Sequence, residues 1–194
     1  MQRRILYLSL AVLLAGASPA LAQSDERDTL LGVNLAGPLF GIYSGSFQQL
    51  LQNDLSIFIR GTYFDQRWNV VDLVRLPEEW TYWTVEAEIG ANYYPQDSAP
   101  SGFYAGVGVS PSYLFLRDKS GNEAAGLRLG VVTQVGYQFV WGPIAVGPRA
   151  SMGHQWILAE LSALDDAAIE NENGIKGVVS GFWLGVGLDL SLTF

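Results

Sequence analysis

His154 is the sole histidine of the chain. Imidazole is the commonest general base, and the nucleophile it serves must lie within hydrogen-bond reach. Ser151 is the hydroxyl nearest in sequence, but in an alternating stretch it takes the opposite face from His154. The position two residues on, which would share that face, is Trp156. No catalytic residue is therefore assigned, and His154 reads as an interfacial side chain beside a tryptophan. Six charged residues offer a second kind of chemistry. Arg60, Arg128 and Arg149 share one face of their segments with Glu86, Glu88 and Asp189. Opposed charges on one enclosed face form either a structural network of pairs or the lining of a narrow ion or solute path. The network is expected, because unpaired buried charge is costly. A third candidate is the acidic stretch 159–176, with Glu160, Asp165, Asp166, Glu170 and Glu172 against Lys176. Set against an EF-hand around Asn171-Glu172-Asn173-Gly174, the first ligand position would be Ile169 and the twelfth Ser180, so the pattern fails. It reads as a solvated acidic loop. No phosphate loop, metal-ligand spacing or triad is present, and no cofactor or metal is expected.

The faces just invoked come from a two-residue period. Phe182, Leu184, Val186, Leu188, Leu190, Leu192 and Phe194 alternate with residues that are small or polar, Trp183 excepted. Such alternation marks a strand with one apolar face. It recurs in Leu55–Phe64, Trp80–Tyr94, Phe103–Arg117, Ala125–Trp141 and Ile144–Leu158. A tilted strand crosses a bilayer in ~9–11 residues, so each segment can span. Aromatics gather near the segment ends, among them Trp80, Tyr93, Tyr94, Phe103, Phe115, Tyr137, Phe139, Trp141 and Trp156, where interfacial girdles lie. Short connections (Gln52–Asp54, Pro95–Gly102, Gly142–Pro143) alternate with longer or more polar ones (Gln66–Glu79, Asp118–Asn122, Ala159–Lys176), as an up-and-down meander requires. An antiparallel ring needs an even number of strands. Leu39–Leu51 then needs an upward strand before it, about Thr29–Ala36, turning at Gly37-Pro38. The apolar parity from Leu31 to Phe47 is unbroken, so one bent strand is the competing reading; two strands fit the usual span better. The expected fold is all-β, an eight-stranded antiparallel up-and-down transmembrane β-barrel.

Composition agrees. Apolar residues make up 49% and charged residues 15%, with 22 glycines, a mix suited to strands and tight turns. Residues 1–22 read as a signal peptide: Arg3 and Arg4, an apolar stretch from Ile5 to Ala17, and Ala20-Leu21-Ala22 before Gln23. The barrel domain would be 23–194. Removing the signal leaves nine basic against nineteen acidic residues, a net charge of −10. That argues against nucleic acid as a partner. There is no cysteine, hence no disulfide framework. No later stretch is apolar enough for a transmembrane helix, which leaves the closed barrel as the spanning form.

A last strand carrying Leu188, Leu190, Leu192 and a final Phe194 resembles the C-terminal assembly signal of bacterial outer-membrane barrels. The resemblance implies recognition by the barrel assembly machinery through those residues, an edge strand being open to strand addition. The chain from about Thr29 to Phe194 looks like a small outer-membrane barrel of the OmpX/OmpW type. Within that group, Val33-Asn34-Leu35, Leu39-Phe40-Gly41-Ile42-Tyr43-Ser44 and Leu55-Ser56-Ile57-Phe58-Ile59-Arg60 resemble a bacterial family of unknown function. Phe47-Gln48 stands where that family has Tyr-Glu. The resemblance implies a monomer in the bacterial cell outer membrane, contacting outer-membrane lipids and lipopolysaccharide, with a structural or binding role carried by outer loops. Outer-membrane lipid A deacylases resemble the chain in fold and place a serine two residues after their histidine, where Trp156 stands. That leaves a lipid-modifying enzyme as one alternative and a narrow conduit for small apolar molecules, which the OmpW-like resemblance allows, as another.

Overall fold

The computed structural model describes residues 28–69, 80–96, 99–118, 121, 123–162 and 181–194. The expected signal peptide and most of the acidic stretch lie outside them. Eight strands close into one ring, each hydrogen-bonded to its sequence neighbours and the last to the first. They are β1 Thr29–Asn34, β2 Phe40–Gln52, β3 Leu55–Asn69, β4 Trp80–Tyr93, β5 Gly102–Asp118, β6 Glu123–Trp141, β7 Ile144–Ser162 and β8 Gly181–Thr193. All pairings are antiparallel.

The two-strand reading of residues 29–51 holds. Thr29 pairs with Gln49 and Val33 with Gly45, a ladder one bent strand cannot make. Its boundaries shift, however. β1 ends at Asn34, two residues early, and a single 3-10 turn spans Gly37–Leu39. The Asn34 side-chain Oδ1 accepts the N–H groups of Ala36 and Gly37, each at 3.0 Å. This local turn competes with strand continuation. The connections expected at Gln66–Glu79 and Ala159–Lys176 also start later, because β3 runs to Asn69 and β7 to Ser162. In β7 the register slips at Ile157 and Leu158, so the strict alternation ends at Trp156.

Register fixes the barrel's dimensions. Moving from partner to partner, Phe182 leads through His154, Val131 and Val109 to Ile89, then through Ile59, Phe47 and Leu31 to Leu192. The walk returns to β8 ten residues further along. That stagger over eight strands tilts them by roughly 40° and leaves an interior about as wide as its own side chains. At one end the turns are short, at Asn53-Asp54, 94–101 and Gly142-Pro143.

The polarity is inside out for a soluble protein. Buried side chains include Ser56, Arg60, Glu88, Asn92, Ser110, Ser112, Arg128, Gln134 and Arg149, whereas Ile59, Val85, Ile89, Val107, Val109, Val131 and Leu184 face outward and exposed. A polar lumen and an apolar belt are the signature of a membrane-spanning β-barrel. Aromatics flank that belt. Tyr43, Tyr63, Trp83 and Tyr113 run ring to ring across four strands, at 6.4, 6.5 and 5.5 Å. Nearer the short-turn end, Tyr137, Phe139 and Trp141 stack along β6 at 4.6 and 5.7 Å.

Candidate functional site

The lumen gathers all six charged residues singled out in the sequence. Arg60 on β3 and Glu88 on β4 are direct cross-strand partners, and Arg60 Nη1 lies 2.6 Å from Glu88 Oε2. Arg149 on β7 donates to Asp189 Oδ2 on β8 at 2.9 Å. Arg128 on β6 donates to Ser112 at 3.0 Å and Thr84 at 2.9 Å. Glu86 accepts from Gln155 Nε2 at 2.9 Å. Arg60 and Arg149 thus meet carboxylates on adjacent strands. The pairs lock neighbouring strands in register and do not themselves cross the lumen.

Crossing is done by amides and tyrosines, which the charge-based reading missed. Arg60 also donates to Gln134 Oε1 at 3.2 Å, and Gln134 Nε2 to Asn92 Oδ1 at 2.7 Å, linking β3, β6 and β4. One layer nearer the short turns, Gln48 Nε2 donates to Ser56 and to Tyr94, and the Tyr94 hydroxyl to Gln138. Their signal was available: Gln48, Asn92, Gln134, Gln138 and Gln155 have the inward parity of the charged set. At the other end the inward side chains turn apolar, with Phe64 packed on Tyr82 at 4.8 Å and Leu114, Leu116 and Ala124 buried.

Glycine makes room for the largest inward rings. A Cβ on Gly136 would sit 2.5 Å from the Tyr104 ring and hydroxyl, and one on Gly153 would sit 2.7 Å from the Trp183 indole nitrogen. Among the described residues, a cavity of about 20 Å³ is bordered by Gln48, Phe58, Arg60, Asn92, Tyr104 and Asp189. That accommodates little more than one water.

No protein-family model matches the chain, and no curated protein does. Solved structures similar to it include the following three. The N-terminal β-barrel domain of Pseudomonas aeruginosa OprF is 12% identical over 87% of this chain and 98% of its own, with a TM-score of 0.47. Neisserial surface protein A (NspA) is 12% identical over 86% and 94%, TM-score 0.44. Acinetobacter baumannii CarO is 12% identical over 87% and 96%, TM-score 0.41. At such scores these likenesses carry no functional weight, and the fold rests on the closed strand order above.

His154 faces outward, its ring 4.6 Å from that of Trp156. Its cross-strand partners are Val131 and Phe182, so neither supplies a hydroxyl or a carboxylate. Leu188 and Leu192 are exposed on the outward face of β8, and Leu190 and Phe194 are half-buried there. The backbone of Phe194 exchanges hydrogen bonds with Thr29, closing the ring. Among the described residues there is no group of three or more His, Cys, Asp or Glu able to hold a metal ion.

Proposed function

We propose that the chain is a non-enzymatic integral protein of the bacterial outer membrane, whose lumen is a structural core and whose working surface lies beyond the outer ends of the strands. The inverted polarity carries this reading. Buried, hydrogen-bonded polar layers fill the interior while apolar side chains with aromatic flanks cover the outside, an arrangement stable only with hydrocarbon around it. Of the two barrel ends, the one with short turns corresponds to the periplasm. The partners that follow are the surrounding lipids and lipopolysaccharide, and the barrel assembly machinery acting on β8; the folded unit is a monomer.

Conductance tests the closed lumen. Purified protein in planar bilayers should give no steady, large current. Reproducible single-channel steps whose cation preference falls in Glu86→Gln/Glu88→Gln would replace the structural core with a conduit. The enzymatic alternative has its own readout. Lipid A from cells with and without the protein should have the same mass spectrum, and a difference in acyl chains removed on expression would establish a lipid-modifying enzyme.

A further inference from the structure

The apolar belt is not equally tall all round the barrel. A strand tilted by roughly 40° gains about 2.5 Å of height per residue, and a ten-residue stagger lifts a register row about 3 Å per strand. From β2 to β5 that lift is toward the outer end. Tyr43 pairs with Tyr63, Tyr63 with Val85 and Val85 with Tyr113, so the outer aromatic row climbs roughly 10 Å across four strands. The opposite rim is level. Leu55, Tyr93, Phe103, Phe139 and Ile144 lie within about 6 Å of one another in height. Polar groups mark where the belt stops on its short side. Above Tyr63 the next outward position of β3 is Asp65, whose Oδ2 accepts the Tyr63 hydroxyl at 3.0 Å. Below, the Thr29 hydroxyl donates to Gln49 Oε1 at 2.9 Å, both at outward positions of β1 and β2. Outward positions of β3 are free of polar side chains from Leu55 to Tyr63, about 20 Å of height. Those of β6 are apolar from Leu127 to Trp141, about 35 Å. Thr133 alone interrupts them, and its hydroxyl donates to the Met152 carbonyl at 3.4 Å. Exposed Trp156 and Leu158 carry β7 to the same level.

A bilayer of one thickness, about 25 Å beside a barrel, fits neither side. Tilting the barrel levels the outer rim only by unlevelling the inner one. Lipid is the deformable party, and it thins against a short apolar face at modest cost per ångström. We infer that the β2–β3 face is a membrane-thinning surface, against which the bilayer is compressed, while the β6–β7 face holds bilayer at full thickness. The occupant of both faces is lipid. Each is continuous with the belt, and β2, β3, β6 and β7 are paired on both sides, so neither face offers a free strand edge. Beside Tyr63, acyl chains of the outer leaflet end short or splay; beside Leu127 they stand extended. The inference rests on the membrane reading above.

Spin-label depth tests it, and the lack of any native cysteine permits single labels. The full barrel is folded in dioleoylphosphatidylcholine vesicles with a label at Gly61→Cys or at Thr133→Cys. Both positions face outward, and a Cβ at Gly61 meets nothing within 4 Å. Ile59 and Val131 share a register row. Gly61 lies two residues above the first and Thr133 two below the second, so the labels stand level to about 1 Å. Collision rates with oxygen and with a water-soluble nickel complex should place the label at position 61 about 5 Å or more nearer the headgroups than the label at 133. Leu55→Cys and Phe139→Cys, level with each other at the short-turn rim, should report equal depth. Equal depths at 61 and 133 mean a uniform belt and overturn the inference. Unequal depths at 55 and 139 mean a tilted barrel, and dipolar broadening between labels at 133 on separate molecules means a second copy on the tall face; either result overturns it as well. Failure of the unsubstituted barrel to reach its heat-modifiable folded form in vesicles is a separate readout, and it would overturn the membrane reading itself.

Discussion

The Arg60–Glu88 pair sets a quantitative expectation. The two residues are 7% and 4% exposed, and their charged atoms are 2.6 Å apart. Glu88 Oε1 is buried with no hydrogen-bond partner, so its carboxylate depends on Arg60 through the other oxygen. Arg60→Met keeps much of the stem and deletes the guanidinium. The carboxylate left behind is then buried and uncompensated, a situation that costs roughly 3–5 kcal/mol. Gln134 loses a donor as well, although it keeps Asn92, which adds on the order of 1 kcal/mol. Arg60→Met/Glu88→Leu removes both charges, and such replacements are often neutral or stabilising. The double variant should recover most of the loss, giving a coupling energy of about 2–4 kcal/mol. Urea titration of the barrel in lipid vesicles, followed by fluorescence of its six tryptophans, measures Arg60→Met, Glu88→Leu and the double variant, which together complete the cycle. A single substitution costing under about 1 kcal/mol would mean that water reaches the pair. Additive losses in the double variant would mean the two residues do not act on one another.

Charge on the outward face should be costly where the membrane is deepest. Val109 lies midway along β5 between Phe103 and Phe115, so Val109→Arg should cost about 2–4 kcal/mol; Thr84→Asp, on the lumen face beside Arg128, should cost far less, and equal losses in vesicle folding would undo the face assignment. Gly136→Val should lose about 1–3 kcal/mol by driving Tyr104 from its seat, whereas Gly61→Ala, with nothing within 4 Å of the new Cβ, should be neutral in the same titration. Trp141 and Phe139 stack at 5.7 Å near the short turns, and Trp141→Ala should weaken insertion into vesicles more than Trp183→Ala, whose ring faces the lumen; the reverse order would place the aromatic flank wrongly.

Parity was legible because it depends only on the chain itself. Once Trp80–Tyr94 is a strand, Glu86 and Glu88 must share a face with Thr84 and Asn92, whatever else the protein does. Partnership was not legible in the same way. Whether Arg60 meets Glu88 or Glu86 turns on a two-residue offset between β3 and β4, and both offsets keep every inward side chain inward. The observed register sets Thr62 opposite Glu86 and Arg60 opposite Glu88. Glu86 is thereby handed to Gln155 across the lumen, a contact that requires the ring to be closed before it can be seen. Uncharged residues were passed over for a related reason: an amide earns attention in a sequence only when its partners are known.

The early end of β1 is the opposite case, where a local signal was present and parity concealed it. Asn34-Leu35-Ala36-Gly37-Pro38 contains an asparagine able to cap a turn two and three residues on, followed by a glycine and a proline. Leu35 and Leu39 nonetheless keep the outward parity and stay exposed, so the apolar pattern runs on through a segment that has left the ladder. Alternation reports which side of a sheet a residue faces and is silent about whether a neighbouring strand is there. For β8 that difference matters: Leu184, Val186 and Leu188 follow one uninterrupted pattern, yet among the described residues the pairing with β1 stops at Leu188, whose carbonyl accepts a bond from Leu35.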